Sequence, residues 1–544
     1  MNSDEKPCLV PAGQGFSVLY KNRYLYSRYS PQTAAERAVE ALTIRPQSLV
    51  LVFSPLLCYG LEALFKKIPD NSFVLFVEKE AALIDLTVQY LSPFLKAHTN
   101  SVLCTPDTIQ DVVSLFDVSA GSIPLSCVRR TVPVELSSAY RLNEAFYTQI
   151  TKIIDGGINQ FWRNRITLIK LGRLYAKNLL RNLGRIPASR MLVPNSVESP
   201  FLICGAGPSL DTQIPFIKRF QNKLFIIAVD SALVPLLKNG IRPDAVLAVE
   251  CQLANEKAFI GAVKSGVPII ADLTSRPQIL SLTGGDVYFF VSEYEKTTFF
   301  NRVCDVAANV PVFEPLGSVG LSALEAALFL RKTDDVPVLF CGLDFAFVPC
   351  KTHCNESPAH TLMLASHNRL KPLLNADSSF RKDTVAVTGK NRTVCLTQPS
   401  LLGYGKNFEV HYAGKKNVFD ISDFGIDTGC VKLTEQLAEK VLSSFNDKSS
   451  GGFARQPLHN NAIKIADFYR TEKDMLQKLR QMLVSGGDSA QILEIIKKCE
   501  YLYLHFPDGY KTPTDDLSFL KRVRGEIDFF LKDLEYGEKI CKNR

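Results

Sequence analysis

The stretch FLICGAGPSLD, residues 201–211, decides the fold. Four apolar residues, Phe201–Cys204, run straight into Gly205-Ala206-Gly207-Pro208, and a helical pattern follows from about Pro215. Glycines at a strand-to-helix corner permit positive φ and let a phosphate approach the backbone. Ser209 adds a hydroxyl and an N–H. The motif is not G-x-G-x-x-G, because position 210 is Leu, and no Gly-Lys-Ser/Thr follows to make a Walker loop. Read alone, Gly-x-Gly is equally an ordinary strand–loop turn. The Pro208-Ser209-Leu210 tail and the surrounding pattern favour nucleotide binding at Gly205, Ala206, Gly207, Pro208, Ser209 and Leu210.

Working outward, short apolar runs recur at Leu224–Val229, Ala245–Val249, Val267–Ala271, Val287–Val291 and Val336–Phe340, with helical spacing between most of them. Alternating strands and helices predict a mostly parallel sheet covered on both faces. Val385–Thr388, Thr393–Leu396 and Phe408–Tyr412 read as a β-rich appendix. Upstream, Gly15–Tyr26 suits a hairpin. Ser48–Phe53 and Ser72–Phe76 read as buried strands around a helix at Leu61–Lys67. Leu136–Leu183 reads as helix and holds the one Trp, Trp162. Met191–Pro200, with two Pro, an Asn and two Ser, is a linker candidate. Apolar residues at helical spacing fill Asn460–Arg544. The expectation is an α/β protein with a central Rossmann-like, mostly parallel sheet. A smaller α/β domain precedes it and an α-helical domain follows. The boundaries are 1–196, 197–455 and 456–544.

A chain of 544 residues is too long for one core. Hydrophobic content of 46% and charged content of 22% are those of globular proteins. No apolar run reaches the roughly 18 residues of a membrane span. The polar start MNSDEKPCLVPAG is no secretory signal. The 14 scattered Cys read as reduced thiols, which points to the cytoplasm. A net charge of +8 is mild at this length and does not indicate nucleic-acid binding.

Several polar residues sit at predicted strand ends, where α/β sites gather. Asp230 and Ser231 end the second strand. There an acid holds a ribose, or equally caps the next helix. Glu250 ends the third strand, as a site acid or a surface carboxylate. Gly317 and Ser318 precede a helix, where N–H groups hold an anion or are simply capped. Asp344 lies just beyond Val336–Phe340, nine residues before His353, and is the second catalytic candidate, to orient His353 or to bind the sugar. Imidazole titrates near neutral pH, so His353 is the candidate base, against the plain alternative of a solvated loop histidine. Cys350, His353, Cys354 and His360 match no zinc spacing, so no metal ligands are assigned.

Four blocks carry a resemblance: GAGPSLD at 205–211, VDSALVPLLKNGIRPDAVLAVE at 229–250, PLGSVGLSALEAALF at 315–329 and CGLDFAFVPCKTH at 341–353. In this order they resemble the motility-associated factor family of bacterial flagellin glycosyltransferases. YLYSRYSPQTAAERAV at 24–39 and NVFDISDFGIDTGC at 417–430 extend the match. The family's central domain is similar to bacterial sialyltransferases and to 6-hydroxymethylpterin diphosphokinase-like domains. This sequence has Ala206 where the sialyltransferase loop has Asn, and Glu250 where relatives often carry Asp. The resemblance implies a CMP-activated nonulosonic acid, of pseudaminic or legionaminic type, as donor and flagellin Ser or Thr as acceptor. It gives Glu250, Thr274, Gly317 and Ser318 to the donor and its sugar. It names no firm cofactor and leaves a divalent metal open. Two other readings follow from the same blocks. One is a diphosphokinase-like enzyme using ATP and magnesium. The other is a flagellin-binding assembly factor with a decayed site. The N-terminal strand–helix–strand unit looks methyltransferase-like but lacks a glycine-rich loop.

Overall fold

The computed structural model describes residues 6–116, 122–294, 297–370, 372, 378–448, 453, 456–458, 461–511 and 513–542. By compactness the chain divides into two units, Met1–Leu168 and Ile169–Arg544. The division falls within the 40-residue helix Glu144–Leu183, upstream of the 191–200 segment. The reason lies in packing. Tyr147, Ile150, Ile154 and Ile158 bury into the first unit's core, while Leu179, Leu180 and Leu183 bury into the second's.

The first unit holds a four-stranded parallel sheet ordered Ser101–Cys104, Phe73–Val77, Ser48–Phe53, Arg130–Glu135. All six residues of Ser48–Phe53 are buried, which is why that strand reads as an unbroken apolar run. A three-stranded antiparallel sheet, Cys8–Pro11, Phe16–Tyr20 and Arg23–Tyr24, accounts for the expected hairpin.

The second unit is built on nine parallel strands: β1 Phe201–Cys204, β2 Phe225–Val229, β3 Ala245–Ala248, β4 Ile269–Asp272, β5 Val287–Ser292, β6 Val312–Phe313, β7 Val338–Cys341, β8 Val418–Asp420 and β9 Val431–Lys432. Their order is β6-β5-β4-β3-β2-β1-β7-β8-β9. The chain winds outward from β1 through β6, then returns to place β7 on the other side of β1. A crevice opens at the carboxyl ends of strands where the order reverses, here between β1 and β7. The predicted strands stand, with ends shifted by one or two residues, and β6, β8 and β9 are additional. Phe408–Tyr412 is not a strand. It closes the helix Pro399–Tyr412, which Pro399 starts at its first position and which buries Phe408 and Tyr412 one turn apart.

Two layers cover the sheet. On one face lie Phe216, Ile217, Leu321, Leu324, Phe408 and Tyr412. On the other, the end of the long helix shares a core with the C-terminal helices Ala462–Ser485 and Leu517–Lys542, through Leu180, Leu183, Tyr469 and Phe530. The acids of Leu517–Lys542 meet the long helix's basic stripe, with Arg173 2.7 Å from Glu526 and Arg181 2.7 Å from Asp533.

Asn178 and Asn182, one turn apart on the long helix, grip the carboxyl ends of the sheet. Asn178 Nδ2 donates to the carbonyls of Cys251 (3.1 Å) and Thr274 (3.0 Å). Asn182 Nδ2 donates to those of Leu273 (2.9 Å) and Ser275 (2.7 Å). Both asparagines are buried. An Asn182→Leu substitution keeps the volume but orphans two buried carbonyls, so a loss of about 1–3 kcal/mol is expected in denaturant unfolding followed by circular dichroism. An unchanged midpoint would show that these contacts carry no net stability.

Candidate functional site

The loops after β1 and β7 cross with almost no space between them. Gly205 N–H donates to Cys341 O and Gly207 N–H to Gly342 O, both at 2.8 Å. A Cβ on Gly205 would lie 2.3 Å from Gly342 O, and one on Gly342 the same distance from Gly205 O. Gly342 also takes φ +69°, a conformation glycine adopts freely. The two glycines are therefore required by backbone-to-backbone contact.

This arrangement redistributes the donors that the sequence offered to a phosphate. Ser209 N–H donates to Asp344 Oδ2 at 2.8 Å, and Ser209 Oγ donates to Asp344 Oδ1. Leu210 N–H turns back to Gly207 O, and Pro208 has none. Among the described residues, Ala206 N–H is the loop donor without a partner. Ser209 is thus a strut of the loop rather than an outward donor. The helix begins at Leu210, not near Pro215, and Leu210 is fully buried.

A cleft of about 480 Å3 opens over this crossing. Gly205, Ala206 and Gly207 form one wall, and Gly342 to Phe347 another. Asp230 and Ser231, the first residues of helix Asp230–Lys238, line it, as do Gly317 to Gly320 at the start of helix Val319–Leu330. Thr352 and His353 lie across from Ser400, Leu401 and Tyr404 of helix Pro399–Tyr412. The side chain of Ser318 does not cap its helix, so the first-turn N–H groups of Val319 and Gly320 lack intrahelical partners where these residues line the cleft. A helix start of this kind favours an anion.

Burial pushes the Asp344 carboxyl up to about 6, against the lowering effect of its Ser209 bonds. Burial likewise pushes Asp230 up to about 6, although Ser231 N–H donates to its Oδ1 at 2.6 Å. Burial holds the His353 imidazole below its ordinary value, and the nearby His360 adds to this. His353 is therefore neutral near pH 7, the form that accepts a proton. Its Nδ1 lies 3.0 Å from Thr352 Oγ1.

Asp211, absent from the sequence assignment, fixes the loop that carries His353. Its carboxylate accepts Asn355 N–H at 3.0 and 3.1 Å and pairs with Lys351 Nζ at 2.5 Å. Cys354 N–H donates to Ala206 O at 2.8 Å. Asp211 follows the glycine loop directly, so its place in the motif was visible, but its partners lie more than a hundred residues away.

The structure brings Gly205, Ala206, Gly207, Asp230, Ser231, Gly317, Ser318, Asp344 and His353 to one cleft. Pro208, Ser209 and Leu210 support its floor. Glu250 and Thr274 stand apart from its lining. Glu250 Oε1 accepts Gln252 N–H at 3.1 Å. Thr274 is buried, and both its N–H and hydroxyl go to Asp272 Oδ1. Asp344 orients Ser209 rather than the imidazole. Among the described residues, no group of three or more His, Cys, Asp or Glu is placed to hold a metal ion. Among them, too, no helix is long and apolar enough to cross a membrane.

Three comparisons bear on the chain. The family model of 6-hydroxymethylpterin diphosphokinase MptE-like proteins matches residues 177–349. An uncharacterized protein from Treponema pallidum (strain Nichols) is 33% identical over 548 residues, spanning 97% of this chain and 94% of its own. The structure of a MAf glycosyltransferase from Magnetospirillum magneticum AMB-1 superposes with a TM-score of 0.53 at 16% identity. That match covers 99% of this chain and 90% of the other, and it shows a shared fold.

Two outcomes are expected. Gly205→Ala must push the β1 and β7 loops apart, and thermal unfolding should fall by several degrees; an unchanged melt would mean that the loops separate at no cost. Asp344 binds its proton more tightly folded, at about 6, than unfolded, near 4. Its contribution to stability is therefore greatest below about pH 4 and is lost as pH rises to about 6. Asp344→Asn should flatten that part of the melting-temperature profile; an identical slope would place the titration elsewhere.

Proposed function

The chain belongs to one family with the Treponema pallidum protein, and its resemblance to the motility-associated factors is supported by the MptE-like domain and the shared fold; on that premise we propose that it is a glycosyltransferase. It moves a nonulosonic acid of pseudaminic or legionaminic type from a CMP donor to Ser or Thr hydroxyls of flagellin, in the cytoplasm. The observation that carries this reading is the cleft at the β1/β7 reversal, with a neutral His353 on one side and an uncapped helix start on another.

The described walls offer peptide dipoles, hydroxyls and two carboxylates. They suit a donor with one phosphate charge better than a triphosphate, which calls for fixed cations or a metal. The acceptor oxygen attacks the anomeric carbon of the sugar as the bond from that carbon to the phosphate oxygen breaks. The electron pair leaves with the phosphate, and one displacement inverts the centre. His353 takes the hydroxyl proton on Nε2, its Nδ1 being engaged by Thr352. The N–H groups of Val319 and Gly320, with Ser318, meet the charge that gathers on the leaving phosphate. Ala206 N–H adds one donor. Asp230 and Ser231 hold the nucleoside. Glu250 and Thr274 have no direct part in this reading.

The match of residues 177–349 to MptE-like proteins favours one second reading, a diphosphokinase-like use of ATP and magnesium. Calorimetry with CMP, a CMP-sialic acid analogue, ATP with magnesium and S-adenosylmethionine separates the possibilities. Selective CMP binding is expected. A response to ATP with magnesium alone would replace the proposal by the diphosphokinase, and silence from every ligand would favour a flagellin-binding assembly role. His353→Ala should slow sugar transfer by about 10²-fold or more while leaving CMP affinity within a factor of two or so. Undiminished transfer would remove His353 from the mechanism.

A further inference from the structure

Beside the loop after β7 lies a buried ion pair that the proposed reaction does not use. The antiparallel hairpin Val385–Thr388 and Val394–Thr397 is anchored on the loop after β7: Phe347 and Leu396 exchange backbone bonds at 2.8 and 3.0 Å, and Thr397 Oγ1 donates to Phe345 O at 2.8 Å. Its turn delivers Lys390, whose buried Nζ lies 2.6 Å from Asp420 Oδ2 at the end of β8. Asp420 also accepts Ser422 N–H at 2.8 Å and the Thr428 hydroxyl at 3.3 Å.

Asp344 lies near this ion pair through the backbone of Gly425 and Ile426. Lys390 N–H donates to Gly425 O at 2.8 Å, and a Cβ on Gly425 would fall 2.7 Å from Asp344 Cα. Ile426 N–H donates to Asp344 O at 2.8 Å. Lys390 stabilises the charge on Asp344, and Asp420 opposes it. Of these two buried carboxylates, Asp420 pairs with the ammonium directly, while the ammonium's charge also favours the ionised form of Asp344. Taking a charge out of water is costly unless it is paired, so the buried Lys390 ammonium bears on both carboxylates.

Lys432, beside Asp420 in the β8–β9 ladder, donates to Asn391 Oδ1 at 2.8 Å and lies 3.8 Å from Asp423. Asp427 acts on Cys430, and several thiols stand close. They are Cys395 on the hairpin, Cys430 ahead of β9, Cys354 on the His353 loop, and Cys341 beside Cys204 on β7 and β1. Burial holds the Cys395, Cys354 and Cys430 thiols up, and the bond from Cys204 does so for Cys341. Asp211 and Lys351 pair with each other.

We propose that Lys390 is a positioning residue for the cleft: its ammonium is the counter-charge that lets Asp344 remain a carboxylate, accept both donors of Ser209, and so hold the turn Gly205–Ser209 in place. Lys390 touches no ligand. It acts through Asp344, from a hairpin joined to the sheet for that purpose among others. The inference rests on the donor-site reading for its second readout only.

The first readout needs no ligand. Melting temperature is followed from pH 5 to 9 for the full-length protein and for Lys390→Met, Lys390→Arg and the double variant Lys390→Met with Asp344→Asn. Without the cation, the Asp344–Asp420 pair keeps a proton to higher pH, so Lys390→Met loses progressively more stability as pH rises. Lys390→Arg should track the parent, and the double variant should recover most of the high-pH loss. A deficit that is the same at every pH, or a double variant no better than the single, overturns the proposal. If Lys390→Met does not fold, the double variant must, and its failure to fold also overturns it. The second readout is CMP affinity against pH. It should rise as Asp344 ionises, and in Lys390→Met that rise should move up by about one to three pH units. An unmoved rise overturns the proposal. A parent that binds no CMP at any pH sinks the donor reading while leaving the stability pattern to decide the role of Lys390.

Discussion

The contact on which the cleft depends is the crossing of Gly205 over Gly342. Two backbones pass close enough that neither position admits a side chain. That approach is what permits β1 and β7 to exchange bonds beyond their ladder, through Gly205 and Gly207. It lies at the one place in the sheet where strand order reverses, so the crevice and the crossing are consequences of the same topology. Asp344 then locks the crossing from the β7 side by taking both donors of Ser209. A Cβ on Gly207 would lie 2.5 Å from Asp344 Oδ2, so this position too is closed to larger residues.

Binding capacity is consequently displaced from the glycine loop to its surroundings. In a phosphate-cradling loop, successive N–H groups point outward. Here the N–H groups of Gly205, Gly207, Ser209 and Leu210 point inward, to Cys341, Gly342, Asp344 and Gly207 respectively. The glycines serve close packing, and the open donors belong to the start of helix Val319–Leu330. Three helices, beginning at Asp230, Val319 and Pro399, contribute their first turns to the cleft. Their aligned peptide dipoles place positive potential there without a fixed cationic side chain having to be buried.

The fold was legible because its signals are local. Buried parallel strands are apolar runs, and Phe201–Cys204, Phe225–Val229 and Ala245–Ala248 are buried throughout. The glycine corner was legible for the same reason. Phe408–Tyr412 was misread because aromatic residues fit a strand as well as a helix; Pro399 was the local signal that a helix had begun. In the second unit three strands went unseen because two or three residues, such as Val312–Phe313, carry no period; in the first, Cys8–Pro11, Ser101–Cys104 and Arg130–Glu135 went unseen as well. The site was legible only as a set of positions at strand ends. Which donors are already spent depends on partners far away in sequence, as with Ser209 and Asp344 or Asp211 and Asn355. No motif encodes such pairings. Thr274, which the resemblance gives to the donor, spends its N–H and hydroxyl on Asp272 two residues before it, a pairing no motif announces.

The same reasoning bears on the position where this chain carries Ala206. The methyl group sits at the mouth of the crossing with little exposure, its carbonyl holding Cys354 N–H and its N–H unused by the described residues. A longer polar residue there would project a side chain over the loop. With alanine, only the backbone is presented: the carbonyl tethers the His353 loop, and the N–H has no partner among the described residues. Any ligand that draws on this N–H would therefore pull on the same peptide neighbourhood that anchors the imidazole. The glycine loop, the clamp at Asp211 and the His353 loop are thus joined at Ala206, so the position of the imidazole is tied to the register of β1 against β7.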